Sequence, residues 1–262
     1  MTRIITVANQ KGGVGKTTST VNVAAALALA GRSVLVLDLD PQGNASTALG
    51  LDHQEGVRGT YEVLTGEARI EDVVMECPDI SGLIGVPATI DLAGAEIELV
   101  AAERREYQLR EAVDAYVATH PDLDYLIIDC PPSLGLLTLN ALVAAREVLL
   151  PIQCEYYALE GLSQLLRTVD MVTSHLNPDL QVSAIMLTMY DGRTRLASQV
   201  ADEVRTHFGA RVLDTVIPRA VRISEAPSYG QTVLTYDRNS SGSLAYTEAA
   251  MQLDEWGAPT PL

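Results

Sequence analysis

Short β-branched runs alternate along the chain with longer stretches of helical periodicity. The runs IITVAN (4–9), SVLVLDLD (33–40), LIGVPA (83–88), DYLIID (124–129), EVLLPI (147–152), VSAIMLTM (182–189) and RVLDTVIP (211–218) read as strands. Near-continuous apolar runs of this length suit strands buried on both faces. Between them lie the helix-like segments TTSTVNVAAALALAG, AEIELVAAERREYQLREAVDAYVATH, LGLLTLNALVAAR, ALEGLSQLLRTVDMVTSHL and TRLASQVADEVRTHFG. Such alternation predicts an α/β protein, a mostly parallel twisted sheet flanked by helices on both faces. Right-handed crossovers then place the strand C-termini, and whatever binds there, along one edge. No repeat, low-complexity tract or Pro/Ser-rich linker divides the chain, so residues 1–262 read as a single domain. The stretch 43–82, with many glycines and polar residues and only short helical hints (YEVLTG, IEDVVMEC), is expected to be mobile or inserted.

Composition narrows this picture. The chain has 262 residues, 47% of them hydrophobic, enough for a substantial core, but only 5% are aromatic, so Leu, Val, Ile and Ala must build it. Cys77, Cys130 and Cys154 form no CxxC pair and read as small buried hydrophobes in a reducing compartment. Met1-Thr2-Arg3 leads straight into a strand-like run, and the longest apolar run, Val23–Ala30, is far below the roughly 18 residues that span a bilayer. A cytoplasmic protein with no membrane partner is expected. The net charge of −16 means that a polyanion would have to be met by a local basic cluster.

The basic residues are unevenly chosen: every one is arginine except Lys11 and Lys16, both in NQKGGVGKTT (9–18). This loop follows a strand and opens a helix, the setting of a phosphate-binding P-loop. Residues Gly12, Gly13, Val14 and Gly15 can turn backbone N–H groups onto phosphate oxygens. Lys16 can reach the β- and γ-phosphates, Thr17 can ligate Mg²⁺, and Thr18 continues the helix N-terminus whose partial positive charge favours an anion. The strict pattern G-x-x-x-x-G-K-[ST] fails, because Gln10 stands where its first glycine belongs and Lys11 follows. From the residues alone, Lys11 is either a second phosphate contact or a solvated loop cation.

Carboxylates complete the candidate site. DYLIIDCPPS delivers Asp129 at the end of an apolar strand, the Walker B form that places one carboxylate on the metal side of the phosphates. In SVLVLDLDPQGN, Asp38 and Asp40 are two apart and so on one side of an extended strand, serving either the metal and water or the turn before Pro41. His53, His120, His175 and His207 are scattered and read as surface or capping residues. Hydrolysis must therefore rest on positioning and electrostatics around Mg-ATP.

The loop KGGVGKTT with Lys11 in place is the deviant Walker A form, and here the chain resembles the ParA/MinD group of P-loop ATPases. The likeness to the chromosomal ParA (Soj-type) branch runs from ITVANQKGGVGKTT through VLDLDPQGNAS, AGAEIELV, IIDCPPSLG and EYYALEG to ISEAPSYGQ. It implies that Lys11 crosses a dimer interface to the phosphates of the other subunit, that Asp40 orients the attacking water, and that DPQGNAS is a switch sensing the γ-phosphate. Asp38 is expected nearer the metal shell, and Pro218 packs on the base. Relatives commonly read IPRN where this chain has IPRA, so Ala220 replaces an asparagine that can border the adenine.

The resemblance further implies an ATP-dependent homodimer that binds DNA nonspecifically and is triggered by a ParB-like partner in chromosome or plasmid segregation, nucleoid-associated in its ATP state. The window 190–240 carries seven arginines against six acids and contains YDGRTR and IPRAVRISEAPSYG, similar to family segments that contact DNA. The role falls first to Arg193 and Arg222, then to Arg219 and Arg195; the other reading is solvated arginines balancing neighbouring acids. No Lys or Arg follows Arg238, which argues against a basic amphipathic membrane helix. The rival readings are a ParA-like ATPase that positions a non-DNA cargo, and a small-molecule enzyme on the same scaffold, a carboxylase-ligase or an iron-protein reductase.

Overall fold

A computed structural model of the chain describes residues 1–155 and 160–258. In order its elements are β1 Arg3–Val7, α1 Lys16–Leu29, β2 Val34–Asp38, α2 Asn44–Ala48, α3 Thr60–Thr65, β3 Met75–Glu76, β4 Leu83–Val86, α4 Leu92–Ala101, α5 Gln108–Thr119, β5 Tyr125–Asp129, α6 Leu136–Ala144, β6 Glu147–Gln153, α7 Glu160–His175, β7 Gln181–Thr188, α8 Arg195–Phe208, α9 Val221–Glu225, α10 Val233–Tyr236 and α11 Ser241–Trp256. The strands form one sheet in the order β3-β4-β2-β5-β1-β6-β7, parallel throughout except for the β3–β4 edge pair.

The apolar runs are continuous because both faces of the sheet are covered. Along β1, Ile4 and Ala8 face the core under the α3–α8 layer, whereas Ile5 and Val7 face the core under α1, α2, α10 and α11. Leu35 and Leu37 of β2 and Leu126 and Ile128 of β5 divide in the same way from Val34, Val36, Tyr125 and Ile127. This is the period of two read through a sandwich of helices. Helix α1 is buried almost all round, its alanines 24, 25, 26 and 28 letting it lie close to the sheet beneath α11.

Three expectations are corrected. The stretch 43–82 is not an insertion, since Leu49, Leu51, Cys77 and Ile80 are core residues and β3 extends the sheet. The run 211–218 forms no strand. It touches β7 through an isolated bridge at Ile185–Val212 and the following loop through Tyr190–Pro218, and proline at 218 brings no amide to extend a ladder. The long helix expected over 95–120 breaks into α4 and α5, with Arg104 at a φ of 51° in the turn between them.

At the end of the sheet away from the strand C-termini, buried Arg3 donates two hydrogen bonds to Glu147, at 2.8 and 2.7 Å, and one of 2.6 Å to the Leu253 carbonyl. The Tyr125 hydroxyl donates to Asp254 at 2.5 Å, so β1, β5 and β6 are all tied to the C-terminal helix. Replacing Glu147 with Ala strands a guanidinium whose side chain is only 7% exposed. Removing one partner of such a pair costs about 3–5 kcal/mol. A loss of unfolding free energy of that size, read as a lower denaturant midpoint, is expected, and an unchanged midpoint would show that the pair contributes nothing net.

Candidate nucleotide site

Strands β2, β5 and β1 are neighbours in the sheet, and Asp40, Asp129 and the loop to Lys16 follow or end them at their C-terminal ends. After β1, the Asn9 amide donates to the Pro151 carbonyl of β6 at 2.8 Å, and its side-chain oxygen accepts the Lys11 N–H at 3.0 Å. The Thr188 hydroxyl at the end of β7 donates to the Val14 carbonyl at 2.8 Å, holding the loop from the other side. Between these ties Gly13 and Gly15 hold left-handed backbone, with φ of 72° and 88°, where a side chain is disfavoured. A Cβ on Gly12 or Gly13 would meet nothing within 4 Å, so this backbone faces open space.

Helix α1 starts at Lys16 with no side chain capping its first amides and no acid in its first turn, which leaves its N–H groups for an anion. Burial pushes the Lys16 ammonium below its ordinary range, against the pull of Asp129 and Asp40. Its Nζ is 3.3 Å from the Lys11 carbonyl. A cleft of about 420 Å³ lies over this loop, lined by Gly12, Gly13, Lys16, Thr17, Asp40 and Gln42 among others.

Asp129 is fully buried; its Oδ2 accepts the Thr17 hydroxyl at 2.7 Å and its Oδ1 the Thr20 hydroxyl at 2.9 Å. It stands in register beside Asp38 of β2. Burial raises both carboxyls above the usual carboxylate range, and each is raised further by a neighbouring aspartate, Asp38 on Asp129 and Asp40 on Asp38. Carboxylates gathered against one buried lysine suit a divalent cation, and Thr17 and Asp129 supply hard oxygen donors. Among the described residues no three His, Cys, Asp or Glu side chains form an all-protein metal cage. Magnesium held by one or two protein groups plus phosphates fits that pattern, whereas a caged transition metal does not.

Asp40 lines the cleft, and Asp38 is not among its lining residues. Both Asp38 oxygens accept protein hydrogen bonds, from the Ser46 amide and hydroxyl and from the Asp40 amide. Asp38 thus stands beside Asp129, where it was expected nearer the metal shell, and its oxygens are also bonded to the loop that follows it.

A second lobe of about 300 Å³ shares Gly15 and Thr18 with the first and is lined by Ile217, Pro218, Ala220, Ile223 and Tyr246. Tyr246 comes from α11, is buried, and lies 3.3 Å, hydroxyl to hydroxyl, from Ser19 of α1. Met189, at the rim, holds a φ of 51° that is rare for a residue with a side chain. Pro218 lines this lobe, and the wall beside it at Ala220 is apolar. Neither Tyr246 nor Met189 was legible as a site residue, because an isolated tyrosine in a helix and a methionine ending a strand carry no local signal.

Lys11, half exposed, forms an ion pair with Glu155 just beyond β6. Glu155 opens the EYYALEG motif, whose residues 156–159 lie outside the described residues. The segments YDGRTR and IPRAVR adjoin through Tyr190, which donates its N–H to Ile217 and accepts that of Arg219. Arg193 is 89% exposed but makes two bonds of 2.8 Å to Asp191, which holds that carboxyl down at about 2. Arg222 pairs with Glu225 at 3.0 Å and Asp237 at 3.4 Å, its guanidinium over the Tyr236 ring. Arg195 and Arg219 are exposed and without an ion pair among the described residues. No helix among the described residues is long and apolar enough to cross a membrane.

Comparison with known proteins agrees with this geometry. Residues 2–182 match a family model described as an AAA domain. The chromosome partitioning protein ParA of Caulobacter vibrioides is 51% identical over 251 residues, covering 96% of this chain and 93% of its own. The sporulation initiation inhibitor protein Soj of Bacillus subtilis is 50% identical over 253 residues, covering 97% and 98%. Among solved structures, a cobyrinic acid a,c-diamide synthase from Mycobacterium smegmatis with bound ADP and magnesium superposes with a TM-score of 0.84 at 40% identity, covering 100% of this chain and 98% of its own.

Proposed function

The chain belongs to the ParA/Soj family of deviant Walker A partitioning ATPases, and from that premise we propose that it is an ATP-switched, DNA-binding dimer. In this reading residues 1–262 work as one P-loop domain. ATP closes two copies into a sandwich, the dimer holds DNA nonspecifically, and a ParB-like protein triggers hydrolysis and release. The protein is then cytoplasmic, and nucleoid-associated while ATP is bound. The observation that carries the reading is the gathering of Gly12–Gly15, Lys16, the Thr17–Asp129 pair and Asp40 around one cleft.

Each residue takes a role that its surroundings favour. The amides of Gly12 to Thr18 and the Lys16 ammonium bind the phosphates. Thr17 and Asp129 hold magnesium, which when bound spreads the charge of the phosphate oxygens. Asp40, at the cleft wall, accepts a hydrogen bond from the attacking water and aligns it. Pro218 packs on the base, and Lys11 leaves Glu155 to reach the other copy's phosphates. Neighbouring carboxylates limit Arg193 and Arg222 until phosphate replaces them, so DNA binding is expected to be weak per contact and strongly dependent on salt.

The biosynthetic name carried by the 40%-identical structure keeps the small-molecule reading in view. The iron-protein form of that reading conflicts with the cysteines, since Cys77, Cys130 and Cys154 are all buried and cannot present thiolates to a shared cluster. DNA binding separates the main proposal from the small-molecule and non-DNA-cargo readings. Arg193→Glu with Arg222→Glu should cut ATP-dependent retention on plasmid DNA by at least about tenfold at moderate salt, given the strength of phosphate contacts. Dimerisation with an ATP analogue should survive, and DNA retention equal to wild type would overturn the surface.

A further inference from the structure

We propose that Ser46 is a positioning residue for ATP cleavage, acting with Asp38 to place the loop that carries Asp40; the inference rests on the role given to Asp40 above. Oδ2 of Asp38 accepts the Ser46 amide at 2.8 Å and the Ser46 hydroxyl at 2.7 Å, and its Oδ1 accepts the Asp40 amide at 3.1 Å. One carboxylate therefore staples residues 40 and 46, the two ends of a segment whose Asp40, Gln42 and Asn44 line the phosphate cleft. The Ser46 hydroxyl also accepts the Ala88 N–H at 3.0 Å, just past β4. Asp38, Ser46 and Ala88 are all buried, so water cannot take over a lost bond.

The loop's internal shape is set separately. Gln42 N–H donates to Asp40 Oδ1 at 3.0 Å, and Gly43 N–H to the Asp40 carbonyl at 2.9 Å. These bonds turn the chain locally but do not fix where the turn sits relative to α1 and the phosphate loop. The packing of α2 on α1 and the ties at the ends place it together, and at residue 46 the tie needs one small group that donates to Asp38 while accepting from Ala88. A serine hydroxyl does both, whereas alanine's methyl does neither and leaves only the residue-46 amide on Asp38. Asp38 thus acts through Asp40 without contacting the substrate itself.

The test measures phosphate release at saturating Mg-ATP and the dissociation constant of a non-hydrolysable ATP analogue, on the full chain, for wild type, Ser46→Ala, Asp38→Asn and Asp40→Ala. Ser46→Ala should lower kcat about tenfold or more, with analogue affinity within about threefold, because a misplacement of about 1 Å is costly for turnover and not for phosphate binding. Asp38→Asn keeps the volume if the serine variant folds poorly. Its single oxygen can serve Ser46 while its NH₂ opposes the Asp40 amide, and the same split between kcat and affinity is expected. Wild-type turnover in both variants, with Asp40→Ala inactive, overturns the inference and leaves Asp40's role standing. Parallel loss of kcat and analogue affinity also overturns it, since that marks a collapsed cleft. Wild-type turnover in Asp40→Ala removes the role itself, and the inference with it.

Discussion

Lys16→Ala is expected to weaken ATP binding by more than about a hundredfold, roughly 2.8 kcal/mol, while leaving the chain folded. In the free protein Lys16 is a buried residue, with its Nζ 3.3 Å from a loop carbonyl, and burial already lowers its proton affinity. It is a desolvated charge whose loss costs the empty fold little. Phosphates change the balance, because charge-assisted hydrogen bonds to them are roughly twice as strong as neutral ones, and the lost ammonium would leave their charge facing Asp40 and Asp129. Calorimetric titration with Mg-ATP measures the effect directly, alongside a thermal melt. Wild-type affinity in the variant would remove the phosphate loop from its assigned place.

That site was legible because its parts are local in sequence. A strand, a glycine-rich turn and GKTT occur in order over 15 residues, Asp129 ends an apolar run, and Asp40 follows another. The sheet was legible for a related reason: β1, β2, β5, β6 and β7 are buried on both faces, so their apolar runs are unbroken. What escaped depends on contacts between distant residues. Lys11 and Glu155 are 144 positions apart, Tyr246 reaches the site only because α11 packs on α1, and β3 is a two-residue edge strand with no period to read. The failed strand at 211–218 shows the converse. Val212, Leu213 and Ile217 are buried, but they pack as a loop beside β7 and gain only isolated bridges. β7 is the edge strand and offers a free edge, but the run bonds to it only through Leu213 and Ile217 and bends at 214–215 between them, so burial and β-propensity do not become a ladder.

The same distinction between local and distant contacts governs the second large effect. Lys11→Ala should bind ATP about as well as wild type in each chain, yet lose ATP-dependent dimerisation and most turnover, a fall of about a hundredfold or more. The two lysines differ in what holds them: Lys16 is walled into its own cleft, whereas Lys11 is half exposed and paired with Glu155. Exchanging Glu155 for a phosphate on another copy costs little, because a half-exposed ion pair contributes only about 0–1 kcal/mol. Lys11→Arg separates charge from shape. A chain that uses arginine at every basic position outside this loop has lysine here, and a planar guanidinium cannot point a single compact charge between phosphates and an opposing loop. Sedimentation with a non-hydrolysable ATP analogue should therefore show monomers for both variants. Dimers of Lys11→Ala would leave Lys11 as the partner of Glu155 and nothing more, and dimers of Lys11→Arg alone would show that charge, not the ammonium's compactness, is what the other subunit requires.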